Sequence, residues 1–263
     1  MLAKSLHRPL RHIAATIMAF AGAALLSACA FVDFDAGGMT GGVPLAELDM
    51  SGSAPTSIAL AGPDTVILTE GETLDITVEG DQAAIEKVRF KLEDDELKIG
   101  RENGKADSDA KATIRVTMPP PGEIAVAGSG SITAPAMARQ AELDIAGSGS
   151  IEVASLDAER LEVNIGGSGT ATAAGKASRL EVSVAGSGDV RLAGLSAERV
   201  EVSIAGSGDV ELASDGTVEA SIAGSGDVTV TGNAKCTLSS VGSGKLHCNP
   251  ATAPSAPAMA EEE

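Results

Sequence analysis

The sequence predicts an all-β chain: a parallel β-solenoid of about seven coils, preceded by a strand-rich cap. Three observations carry that prediction. Gly-Ser-Gly occurs seven times, beginning at Gly128, Gly147, Gly167, Gly186, Gly206, Gly224 and Gly242, with spacings of 19, 20, 19, 20, 18 and 18 residues. A period of that length is too short for two packed helices and suits one turn of a β-coil whose partners are its two neighbours. On both sides of each triplet apolar and polar residues alternate, as half-buried strands require. The composition agrees, because 263 residues with no Trp, no Tyr and four Phe need a core made of repeated Val, Leu and Ile ladders.

In chain order, Lys4, Arg8 and Arg11 precede an apolar run from Ile13 to Leu26. That run is shorter than the roughly 18 to 20 residues a membrane-crossing helix needs and is followed by small residues, so 1–28 reads as an export signal. Leu26-Ser27-Ala28-Cys29 resembles the bacterial lipobox, which makes Cys29 the expected site of lipidation and the membrane anchor. Ala30 in place of Asp favours the outer membrane over the inner. Residues 29–44, with Gly37-Gly38 and Gly41-Gly42, read as a Gly-rich tether.

Residues 45–122 form the strand-rich part. Short alternating bursts at Glu47–Met50, Thr65–Leu68, Leu74–Val78, Val88–Leu92, Leu97–Ile99 and Thr113–Val116 are separated by turn residues such as Glu70-Gly71-Glu72 and Asp94-Asp95. Asp81–Lys87 is the one predicted helix, with Asp81 as its N-cap. Gly104–Lys111 is a polar loop, and Pro119-Pro120-Pro121 closes the region.

Residues 123–249 are the coils. Before each triplet lies a strand, for example Leu161/Val163/Ile165 or Val200/Val202/Ile204; after it lies another, for example Val190/Leu192 or Val228/Val230. Each coil is thus two strands and two bends. The apolar set points inward, and a one-residue slip would expose all of it. Glycines suit the repeated corner, where positive φ or the backbone of the next coil leaves no room for a Cβ. Stacking at about 4.8 Å per coil makes seven coils a column about 34 Å long. The Pro/Ala-rich tail, 250–263, ends in three Glu and has the composition of a disordered segment.

With Cys29 assigned to lipid, two cysteines remain. Cys236 takes the ladder position of Val218 and Cys248 that of Val230, each six residues from Gly242. Equal arms from one corner bring them together across a thin interior, which predicts a Cys236–Cys248 disulfide pinning the last coil. The closed loop is worth about 3 kcal/mol in the chain-entropy model.

Several segments together resemble the family called putative auto-transporter adhesin, head GIN domain. They are Leu48-Asp49-Met50-Ser51-Gly52-Ser53 as a degenerate first coil, Leu74–Asp81, the hairpin Glu93–Ile99, Val116-Thr117-Met118-Pro119, and the tandem Gly-Ser-Gly-Asp-Val coils. The similarity spans roughly residues 45 to 250. It implies a single-stranded right-handed parallel β-helix on an exported, often lipid-anchored protein with no established enzymatic activity.

Candidate chemistry is sparse. Beyond the signal the chain has one His, His247, and no Tyr, which removes most general-base and triad arrangements. Asp189, Asp209 and Asp227 each follow a triplet and form a column about 5 Å per step, a separation compatible with a retaining glycosidase pair. Sugar sites also use aromatic platforms, which this chain lacks. Turn formation is the simpler role for the three Asp, with weak divalent-cation or partner binding as the alternative. The charge without residues 1–28 is −21, from 16 basic and 37 acidic residues. It repels nucleic acid and anionic headgroups. No cofactor or resident metal is expected. The function expected is a non-enzymatic, adhesin-like envelope lipoprotein presenting polar faces to a protein or matrix partner. The alternatives are a polysaccharide-active β-helix and a purely structural or regulatory envelope component.

Overall fold

The computed structural model describes Met39, residues 41–102 and residues 110–249. The expected signal, Cys29 and the expected tail lie outside the described residues, as does most of the expected 104–111 loop. The described chain is a parallel β-solenoid of about seven turns.

The regular part runs through β7 (Glu123–Gly128), β8 (Ser131–Ala136), β9 (Gln140–Gly147), β10 (Ser150–Gly167), β11 (Thr170–Gly186), β12 (Asp189–Gly206), β13 (Val210–Gly224), β14 (Asp227–Thr231), β15 (Lys235–Gly242) and β16 (Lys245–Asn249). Stretches before each Gly-Ser-Gly corner stack into a first face, and stretches after it stack into a second. On the first face Leu161, Leu180, Val200, Val218 and Cys236 share one position of the register, and Gly147, Gly167, Gly186, Gly206, Gly224 and Gly242 share another. Inward ladders on both faces are buried, from Ile124/Val126 to Val228/Val230.

The second bend differs from expectation. In β10, β11 and β12 the strand continues through it, and the neighbouring coils stay paired with register shifts near Val153/Leu156, Thr172/Gly175 and Leu192/Ser196. Leu156, Ala158, Ala177, Leu195 and Ala197 are buried there, so the bend is a third inward edge of the core. It also absorbs the variation in coil length that the Gly-Ser-Gly corner does not tolerate.

The N-terminal part extends the same stack. β1 (Ser57–Gly62) pairs in parallel with β7, and β2 (Thr65–Glu70) with β8. Hence Gly62-Pro63-Asp64 stands where Gly128-Ser129-Gly130 stands in the next coil. The first coil is Ser57–Glu70, not Leu48–Ser53; that segment and the Glu47–Met50 strand are replaced by a 3-10 turn at Leu45–Glu47 and extended chain. β1 gives no alternation because Ile58, Ala59 and Leu60 are all buried, the pattern of a strand covered on both sides.

β5 (Glu96–Arg101) and β6 (Ala112–Met118) follow later in the chain but stack on the far side of β1 and β2. Two antiparallel strands close this end, β3 (Asp75–Gly80) on β6 and β4 (Val88–Glu93) on β5. Asp94 and Asp95, with φ of 51° and 63°, make the two-residue turn between β4 and β5, a conformation Asp tolerates. Between β3 and β4, α1 (Gln82–Ile85) starts where Asp81 accepts the Ala83 N–H at 2.8 Å, as its N-cap position predicts. Val43 is bridged to Phe90, and the Met39 N–H reaches the Arg101 carbonyl. The chain is therefore already bound to the fold before the end of the 29–44 tether.

Candidate functional site: the outward columns of the first face

The corner glycines keep this face in register from coil to coil. Gly147 has φ of 119°, and a Cβ on it would stand 2.7 Å from the Gly128 carbonyl oxygen, inside van der Waals contact. Gly149, the third residue of the triplet, needs only space: its Cβ would meet the Gly130 carbonyl at 2.7 Å. With both Cβ positions empty, the ladder continues round the corner, as in the bond from Ser148 N–H to Gly128 O at 2.8 Å.

Flat stacking in register turns alternate residues into columns. Arg160, Arg179 and Arg199 form one, and Glu123, Glu142, Glu162, Glu181, Glu201 and Glu219 form the next. Beside them runs Ala125, Asp144, Asn164, Ser183, Ser203, Ser221 and Ser239. At Arg160 the two columns meet: it reaches Glu162 of its own coil at 2.8 Å and Glu181 of the next at 2.9 Å. A shallow open depression of about 200 Å³ lies among Arg179, Glu181, Arg199, Glu201, Thr217 and Glu219.

Toward β9 the columns become a crowded acidic patch. Asn164 donates to Asp144 at 3.0 Å, to Glu162 at 3.3 Å and to Glu142 at 3.5 Å. Asp144 is buried, at 7% exposure, and its Oδ2 has no hydrogen-bond partner among the described residues. Burial, reinforced by Asp144 and Glu162, pushes the Glu142 carboxyl up to about 7 against the opposing pull of Arg160. Burial likewise pushes Asp144 up to about 6, with Glu123 and Glu162 adding to it and Asn164 opposing. Glu123 is raised by burial and by Glu142 and Glu96. Sequence reasoning missed this patch, since an outward Asp on a strand looks the same whether covered or bare.

Asp189, Asp209 and Asp227 lie on the second face, where they take part in the ladder. Asp209 accepts the Asp227 N–H, and Asp227 the Lys245 N–H, both at 2.9 Å; Asp189 pairs with Arg191 at 3.2 Å. Asp209 and Asp227 thus bind the backbone of the following coil, not of their own turn as a turn former would. Asp215, which the sequence did not single out, does the same for Asn233 at 2.8 Å. Among the described residues no three His, Cys, Asp or Glu side chains converge to hold a metal ion. Cys236 and Cys248 are joined in a disulfide, with Cα atoms 6.7 Å apart, wider than the roughly 5.5 to 6 Å typical of such bonds.

Fold and surface together define a β-solenoid whose ordered chemistry lies on flat outer faces. The family model described as putative auto-transporter adhesin, head GIN domain, matches residues 54–234, and the chain belongs to that family. Three solved structures share the fold. A putative adhesin from Bacteroides fragilis is 20% identical with a TM-score of 0.68, over 74% of this chain and 92% of that one. A putative adhesin from Parabacteroides merdae is 20% identical with a TM-score of 0.56, over 82% and 97%. A protein from Parabacteroides distasonis described as a putative lipid binding protein is 21% identical with a TM-score of 0.56, over 74% and 93%. No curated protein matches the chain.

Proposed function

We propose that this chain is a non-enzymatic binding domain of the bacterial cell envelope, anchored by lipid on Cys29 in the outer membrane, and presenting its first face to a protein or matrix partner. The observation that carries the proposal is the in-register Arg and Glu columns on a flat face. Charges repeated in register at about 4.8 Å suit recognition of another extended, periodic surface, and they supply specificity and encounter rate more than raw affinity. Membership of an adhesin-like family supports the same reading, as does the lipobox-like Leu26-Ser27-Ala28-Cys29.

The test uses cells that display the full chain on a protein matrix. Reversing Arg160, Arg179 and Arg199 to Glu is expected to abolish attachment. Asp189, Asp209 and Asp227 changed to Asn on the second face should leave it intact. Attachment unaffected by the Arg reversals would overturn the assignment of the face. In parallel, Cys29→Ala is expected to abolish palmitate labelling, and persisting label would remove the anchor.

A further inference from the structure

The two ends of the solenoid are chemically opposite, and among the described residues both leave a strand with one free edge. At the C-terminal end, among the described residues, β16 pairs only with β14, and β15 only with β13. Leu238 and Leu246 stand in register with Ala220 and Val228, which are buried, yet Leu238 is 41% exposed, since among the described residues no further coil covers it. Lys235–Asn249 contains no acidic residue. Thr237 replaces the column Glu of the preceding coil, and Lys245 stands opposite Asp227. On a chain this acidic, the last coil is a basic end with Lys235, Lys245 and His247 exposed.

At the other end, among the described residues, β3 pairs only with β6, and it is antiparallel. Ile76 is buried and Val78 partly so, while Asp75, Thr77 and Glu79 are exposed. Acidic Glu70, Glu72 and Asp81 flank the strand. β3 and β16 end the same face of the solenoid, since β6, β2, β8, the first half of β10 and so on to β14 connect them.

We propose that β16 of one molecule takes β3 of a second copy as its next strand, joining the molecules head to tail. All strands between β6 and β16 on this face are parallel, so coaxial joining makes the new pair antiparallel. Leu246 and Cys248 then continue inward into Ile76 and Val78, and Lys245 and His247 meet the Asp75/Glu79 row. Free strand edges are templates for such pairing. The contact is heterologous and does not close, so it adds copies in a line. On the other face Val43 already occupies the edge of β4 through its bridge to Phe90, so only one face zips. An interface of one short strand pair is small, and the association is accordingly weak, concentration-dependent and salt-sensitive. The inference is independent of the partner proposed for the first face.

The experiment is sedimentation velocity on the full chain in mild detergent, over a concentration series at low and high salt. Mass is expected to grow with concentration at low salt and to fall back at high salt. Lys245→Glu and Asp75→Lys are each expected to weaken association about tenfold or more, a change of about 1.4 kcal/mol. Both side chains are exposed, and only the backbone N–H of Lys245 bonds Asp227, so circular dichroism should show both variants folded. An equimolar mixture of the two is expected to regain complexes, because each keeps one native end. Monomer at every concentration would overturn the proposal. So would association that Asp75→Lys leaves unchanged, the signature of two C-terminal ends meeting, or variants that fail to complement.

Discussion

The same corner is built in two ways in this molecule, and the contrast shows what the glycines are for. In the regular coils the corner is Gly-Ser-Gly, because the corner backbone of the preceding coil lies directly against it. In the first coil the register places Gly62-Pro63-Asp64 there instead. Asp64 occupies the third glycine's position, and Arg101, two residues beyond the Leu60/Ile99 pair, falls opposite Gly62. Asp64 takes Arg101 Nε at 2.8 Å and Nη2 at 2.6 Å, and also the Ala112 N–H at 2.8 Å. Arg101 in turn donates to the Ala110 carbonyl at 2.7 Å. Both charged residues are buried. Where backbone packs on backbone, only glycine fits; where the stack meets an irregular coil, a bidentate ion pair satisfies the corner. The hydrogen bond to Asp64 holds the Arg101 guanidinium above its ordinary value, against the opposing cost of burial.

The comparison breaks most visibly at that pair. Asp64→Ala leaves a buried guanidinium without its carboxylate, and an expected loss of about 3 to 5 kcal/mol should appear as faster hydrogen exchange in β1, β5 and β6. Unchanged exchange there would mean that the pair does not hold the corner. Next in size is a matched pair of glycine substitutions. Gly147→Ala incurs both the positive φ and the clash with the Gly128 carbonyl, for an expected cost of about 3 kcal/mol. Gly62→Ala has φ of 128° but nothing within 4 Å of the new Cβ, so only the conformational cost of about 1 to 2 kcal/mol remains. Urea midpoints of the two variants measure the difference, and equal losses would assign the corner to φ alone.

The smallest effect concerns pH. Glu142 is held at about 7, above its ordinary 4.5, so the folded state binds its proton more tightly than the unfolded chain does. Its contribution is fully present below about pH 4.5 and is lost as the pH rises through about 7. Glu142→Gln is therefore expected to stabilise the protein at pH 8 by about 1 kcal/mol, discounted for its partial exposure, and to have almost no effect at pH 4. A loss of stability at pH 8 would instead make Glu142 a useful partner of Arg160.

What the sequence made legible was everything with a period. The seven triplets, the alternating ladders and the two Cys standing in for Val218 and Val230 repeat at offsets visible by inspection. The Asp81 cap was legible because a cap is local. Four features were hidden for physical reasons. β1 is buried on both sides and carries no alternation. β5 and β6 were legible as strands from their alternation, but they stack on the far side of β1 and β2, against chain order, and no spacing announces that placement. The Asp64–Arg101 pair joins residues 37 apart that occur once. The crowding at Asp144 depends on which outward residues are covered, and alternation does not carry that information.

The paired second bend has a consequence for how such a molecule changes over generations. Coil length varies between 18 and 20 residues, while the glycine corners stay in strict register. Extra residues are thus tolerated along one longitudinal seam of the rod and excluded from the opposite one. Duplicating a whole coil lengthens the rod by a fixed step and leaves every existing contact but one interface untouched. Reach is therefore inherited in discrete increments, and a lineage can adjust how far this domain extends without redesigning its core.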